Sequence, residues 1–195
     1  MEETPMHEVR EIFETNYFGN VNVLRAVTPI MRQQKSGRIV TVGSLAGRVV
    51  MGCHAHYSAS KWAMEGLSEA LAQEMAEFNV KVAIIEPGCV LTPIWGKGSL
   101  PTEPSPYLKS LQRLGRFFEF GLRRPAMPTD VASAIEHAIE SDKPHFRYPV
   151  GPDAVESVAA RAKVSDDEWI EANCLQGEAF SDRWLELVGV DYYRD

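Results

Sequence analysis

The sequence predicts an α/β protein built on a parallel sheet with helices on both faces, a doubly wound fold. Two observations carry this reading. The β-branched runs "RIVTVGS" at 38–44 and "VKVAIIEPG" at 80–88 read as strands buried on both faces. Between them lie long stretches whose apolar residues recur at helical spacing. Strand–helix–strand alternation of this kind implies right-handed parallel crossovers, and ligands then bind beyond the carboxyl ends of the strands.

The elements follow in order. Residues 6–33 form a predicted helix in which Val9, Ile12, Phe13, Asn16, Tyr17, Asn20, Val23, Leu24 and Val27 recur, with Pro29 expected to kink its last turns. "KSG" at 35–37 ends it, and the strand 38–44 follows. The stretch at about 55–77, rich in Ala, Leu, Met and Glu and free of proline, predicts a second long helix. The strand 80–88 is stopped by Pro-Gly. Residues 89–128, with Pro93, Pro101, Pro104, Pro106, Pro125 and Pro128, read as a mobile substrate loop or lid holding one or two short helices. "TDVASAIEHAIES" predicts a helix capped by Thr129, "HFRYPVG" at 145–151 a third strand, and 152–195 a helical tail.

At 195 residues a single domain is expected. A net charge of −7 argues against a nucleic-acid or anionic-membrane surface. No run approaches the ~20 apolar residues of a membrane span, and "MEETPMHEVR" lacks the layout of a signal peptide. Cys53, Cys89 and Cys174 are odd in number and widely spaced, which fits neither a disulfide framework nor a zinc site and points to a reducing cytoplasm.

Three features converge on one crevice: Ser44 at a strand end, Tyr57 and Lys61 at the start of the next helix, and Pro87-Gly88-Cys89-Val90-Leu91-Thr92 after the next strand. A tyrosine, with a pKa of about 10, is a poor base at neutral pH. A nearby cation lowers that value, and i,i+4 spacing puts Lys61 on the same helix face as Tyr57. With the Ser44 hydroxyl on the same substrate oxygen, the set suits proton transfer to or from an alcohol or carbonyl.

"YSASK" resembles the Tyr-x-x-x-Lys motif of the short-chain dehydrogenase/reductases. "FETNYFGNVNVLRAVTPIMRQQKSGRIVTVGSLAGRV" resembles their segment with the active-site asparagine and serine. Asn16 to Ser44 spans 28 positions and Ser44 to Tyr57 spans 13, the family's common spacing. "IIEPGCVLTP" is similar to the Pro-Gly-x-x-x-Thr segment that lines the nicotinamide, and "KPHFRYPVG" resembles the branch of 17β-hydroxysteroid and retinol dehydrogenases. The match is strong over about residues 3–100 and looser to 150.

The resemblance implies an oxidoreductase using NAD or NADP on a small alcohol or carbonyl substrate, an apolar one if the Phe117, Phe118, Phe120 stretch is a lid rather than packing. Tyr57 would be the general acid/base. Lys61 would lower its pKa and hold the nicotinamide ribose. Ser44 would orient the substrate oxygen, and Asn16 would hold a water linking Lys61 to solvent. Pro87, Gly88, Val90 and Thr92 would position the nicotinamide ring. The helices 6–33 and 55–77 resemble those of the family's dimer interface, so a homo-oligomer is expected.

The chain departs from the family in lacking the Gly-rich pyrophosphate turn and the Asn-Asn-Ala-Gly segment. The expected fold is therefore the C-terminal portion of a Rossmann-like fold, with N-terminal βα units absent on the order of 90 to 100 residues, at about 30 per unit. Such a chain would show no appreciable dehydrogenase activity by itself. Two classes of function remain: an oxidoreductase, or a catalytically silent remnant that binds partners through its helices and sheet edge. A nucleophilic Ser44 is disfavoured because "TVGSLAG" fails the Gly-x-Ser-x-Gly elbow. His54 and His56 flank Tyr57, but no third metal ligand stands at sensible spacing. Cys53 and Cys89 read as small apolar packing residues, and Trp169, Trp184, Tyr192 and Tyr193 as packing for the tail.

Overall fold

A computed structural model describes residues 1–96 and 105–193. Pro101 and Pro104 of the expected loop, and the last two residues of the tail, lie outside the described residues. Among the described residues the sheet has three parallel strands in the order β1 (Gly37–Val42), β2 (Val80–Pro87), β3 (Arg147–Val150). β1 and β2 pair from Gly37 with Val80 to Val42 with Ile85, and β2 and β3 from Ile84 with Arg147 to Pro87 with Val150. All three strands thus end at one edge of the sheet, and the loops that follow them meet there.

Alternation along the strands builds two cores. Ile39, Val80 and Val82 pack with Leu24 of α2 (Gly19–Gln34) and Met75 of α3 (Ala55–Ala76). Ala83, Ile85 and Val150 pack with Ala138 of α5 (Pro128–Glu140). Layers on both faces of a parallel sheet are what the β-branched runs predicted. A third core joins Phe117 of α4 (Leu108–Arg123) to Ala154 of α6 (Pro152–Arg161), Trp169 of α7 (Asp166–Cys174), Phe180 and Trp184 of α8 (Gly177–Val188), and Tyr192 and Tyr193. The tail aromatics are packing residues, as expected.

Several expectations are revised. The first helix is not uniform: α1 (Met6–Phe13) passes through one π turn, Glu14–Phe18, before α2. The helix runs one residue beyond its expected end, to Gln34, with Pro29 inside it, and Lys35 turns left-handed at φ 54° and ends it. The helix expected to start at Thr129 begins at Pro128, and the Asp130 carboxylate accepts the Met127 N–H at 2.7 Å. The largest difference is in 89–128. Among the described residues a 3₁₀ turn at Pro93–Gly96 precedes α4, which is 16 residues long rather than a short piece. Its strongly one-sided apolar face, including Phe117, explains this, because a proline count hides an amphipathic stripe that contains no proline.

Candidate active site

The site assembles at the strand ends. β1 stops at Val42, the Gly43 N–H still reaches Ile85 O at 2.7 Å, and Ser44 then leaves the sheet in extended geometry. Its hydroxyl accepts the Ala46 N–H at 3.2 Å, which caps a 3₁₀ turn over Leu45–Gly47. β2 ends at Pro87, and the Gly88 N–H donates to Val150 O at 2.9 Å. Between these two loops lies a cavity of about 570 Å³. Ser44, Tyr57, Pro87, Gly88, Val90 and Thr92 line it, so six of the eight sequence-predicted residues share one wall.

Tyr57 opens toward this cavity from the first turn of α3. Burial pushes its phenol above the ordinary tyrosine value, while a hydrogen bond with Ser44 pulls it back. Lys61 is one turn on, its ammonium 5.7 Å from the Tyr57 ring centre. It is not among the lining residues; it donates to Val42 O at 3.4 Å, and burial lowers its pKa. Asn16 stands in the π turn of the preceding helix, a distortion frequent at functional sites. Its amide nitrogen donates to Ser60 Oγ at 3.0 Å, and Ser60 Oγ donates to Tyr57 O at 2.7 Å. Asn16 is thus tied to the backbone of the tyrosine rather than to Lys61 directly.

Sequence reasoning missed two residues here. His54 stacks on Tyr57 and lines the cavity. The sequence offers it as a metal ligand, but its spacing three residues before Tyr57 is the signal for a ring contact. Asp153, 2 % exposed, also lines the cavity from the first turn of α6. Its Oδ2 accepts the Cys89 N–H at 2.7 Å, which fixes the turn after Pro87. A Cβ on Gly88 would collide with the same carboxylate, so glycine is required there for space. Nothing local in "VGPDAV" reveals that pairing, because the partner is 64 residues away.

The remaining wall is apolar: Leu45, Val49, Met51, Ile94, Trp95, Leu114, Phe117 and Phe118. The aromatic stretch divides. Phe118 touches His54 and Trp95 edge-on in the cavity wall, Phe117 is both lining and core, and Phe120 packs on Tyr192. Cys89 is 2 % exposed and lines the cavity, and Cys53 adopts left-handed φ 66°. Among the described residues no helix is long and apolar enough to cross a membrane.

Known proteins resemble this chain over most of its length. The short chain dehydrogenase family matches residues 1–101. An uncharacterized oxidoreductase of Schizosaccharomyces pombe is 36 % identical over 176 residues, 90 % of this chain and 75 % of that one. Retinol dehydrogenase 8 of Bos taurus is 34 % identical over 154 residues, 71 % of this chain and 47 % of that protein. A crystal structure of a short-chain dehydrogenase from Streptomyces avermitilis superposes with a TM-score of 0.76 at 35 % identity, covering 88 % of this chain and 62 % of that one. The chain belongs to the short-chain dehydrogenase family.

Proposed function

We propose that this chain carries the proton-transfer and nicotinamide-binding part of an NAD(P)-dependent oxidoreductase that interconverts an alcohol and a carbonyl. The observation that carries the reading is the meeting of the Tyr57 and Ser44 hydroxyls in the wall of one cavity, with the Lys61 ammonium one helical turn away. Tyr57 gives its proton to the substrate oxygen in reduction and takes it in oxidation. Ser44 orients that oxygen. Lys61 offsets the burial that opposes the phenolate and takes the ribose hydroxyls. Asn16, through Ser60, fixes the backbone from which the phenol projects.

The residues present fit the nicotinamide end of the cofactor, which supplies or accepts the hydride when bound. Pro87, Gly88, Val90 and Thr92 line the cavity together with Ser44, and the Lys61 ammonium has no carboxylate partner among the described residues. None of the three strands opens onto a Gly-x-x-x-Gly-x-Gly turn. These 195 residues by themselves would therefore hold the cofactor by one end and turn over weakly. The apolar wall supports a substrate with an apolar body beside its reacting oxygen. Exposed Phe18, Val23 and Ile30 on the first helical segment and Trp62 on α3 support a second copy of the chain as partner.

Saturation-transfer NMR with NADH tests the cofactor reading. The nicotinamide protons should receive more saturation than the adenine protons, and Lys61→Ala should remove the difference. Equal or adenine-dominated transfer in the wild type would refute it.

A further inference from the structure

Four elements send charged side chains into one cluster, two of whose carboxylates are buried. Arg48 comes from the loop after Ser44, Glu65 and Glu69 from α3, Glu86 from the end of β2, and Arg147 from the start of β3. Arg48 Nη1 lies 3.0 Å from Glu86 Oε1. Arg147 Nε lies 3.0 Å from Glu65 Oε2 and 3.4 Å from Glu86 Oε1, and its Nη2 lies 2.7 Å from Glu69 Oε2. Glu86 is 0 % exposed and Glu65 5 %. Glu65 Oε1 and Glu86 Oε2 are both buried without a hydrogen-bond partner.

Glu69 lies at the solvent side of the cluster, while Glu65 Oε2 and Glu86 Oε1 converge on one nitrogen, Arg147 Nε. Glu65 keeps one oxygen buried without a partner beside a second buried carboxylate, and both conditions favour its protonated form. Burial, with the Glu86 charge second, pushes the Glu65 carboxyl up to about 7, while Arg147 and Arg48 pull it down.

The cluster is coupled to the cavity by short stretches of chain. Glu86 directly precedes Pro87, and Arg48 is four residues past Ser44. Glu65 continues the Tyr57–Lys61 face of α3 by one turn, and its Cγ would lie 3.0 Å from a Cβ on Gly47 in the Ser44 loop. We propose that Glu65, held against the buried Glu86 carboxylate by Arg147, is a buried site for one proton that sets the position of the Ser44 loop against the Pro87 turn. Glu65, Glu86, Arg48 and Arg147 are positioning residues in this account, and the proton site stands whether or not the chain turns over.

The test is carboxyl NMR on the whole chain labelled with ¹³C-glutamate and with tyrosine ¹³Cζ. One glutamate should titrate with a midpoint near 7 and be missing from Glu65→Gln. The Tyr57 signal, assigned with Tyr57→Phe, should shift with the same midpoint in the wild type and not in Glu65→Gln. The melting temperature of the wild type relative to Glu65→Gln should rise by about 5 °C as pH falls from about 7.5 to 5. Midpoints below about 5.5 for every glutamate, or a Tyr57 signal indifferent to Glu65→Gln, overturn the proposal. If Glu65→Gln does not fold, the wild-type titration alone decides: a neutral midpoint shared by a glutamate and Tyr57 supports it, and its absence sinks it.

Discussion

The His54 imidazole lies face to face with the Tyr57 phenol, ring centres 4.8 Å apart and planes inclined by 23°. Burial holds the imidazole below the ordinary histidine value. The unfolded chain therefore takes up this proton first as pH falls through about 6.5, and stability drops until the folded histidine is also protonated. His54→Gln, which cannot titrate, should lose that component. Thermal melts from pH 7.5 to 5 should show the wild type losing ground to His54→Gln as pH falls. Parallel curves would mean that the histidine titrates normally in the folded chain. Glu65 works in the opposite sense over an overlapping range, since its raised value makes the folded state bind the proton more tightly. Each effect is read as a difference from its own variant.

Asp153 and Gly88 should be energetically coupled. Asp153→Ala strands the buried Cys89 N–H, a loss of about 1–3 kcal/mol by urea denaturation, whereas Asp153→Asn keeps an acceptor and should cost less. Gly88→Ala should be destabilising while the carboxylate is present. In the Asp153→Ala background the same change should cost less, giving a coupling on the order of 1 kcal/mol. Strict additivity would show that the carboxylate does not fill the space beneath Gly88.

The exposed apolar residues on the two long helical segments lead to a statement about assembly. Light scattering on the purified chain should give a dimer, and Val23→Glu combined with Trp62→Glu should give a monomer with unchanged circular dichroism. Val23 is 61 % exposed and Trp62 51 %, so folding alone should tolerate both changes. A wild-type monomer at tens of micromolar would exclude this interface.

How much of this was legible in the sequence follows from how local each signal is. Strands β1, β2 and β3 fell within two residues of their predicted bounds because β-branched runs between turn residues are local signals. Tyr57 and Lys61 were placed by i,i+4 spacing, and Ser44 and the Pro87 turn by their positions at strand ends. Asp153 was invisible because its meaning depends on the distant Cys89 N–H. The ion cluster was hidden for the same reason: Arg48, Glu65, Glu86 and Arg147 each look like an ordinary charge within their own element. Helix α4 was misjudged because flanking prolines outweighed its apolar stripe.

The most direct test of the central claim is proton transfer by Tyr57. The chain would be incubated with millimolar NADH or NADPH and a panel of apolar ketones and aldehydes, and alcohol product counted by mass spectrometry over hours. Wild-type protein should form product slowly. Tyr57→Phe should form it roughly 10²- to 10⁴-fold more slowly, while the nicotinamide saturation-transfer signal persists. Product formation by Tyr57→Phe at a near-normal rate would contradict the account.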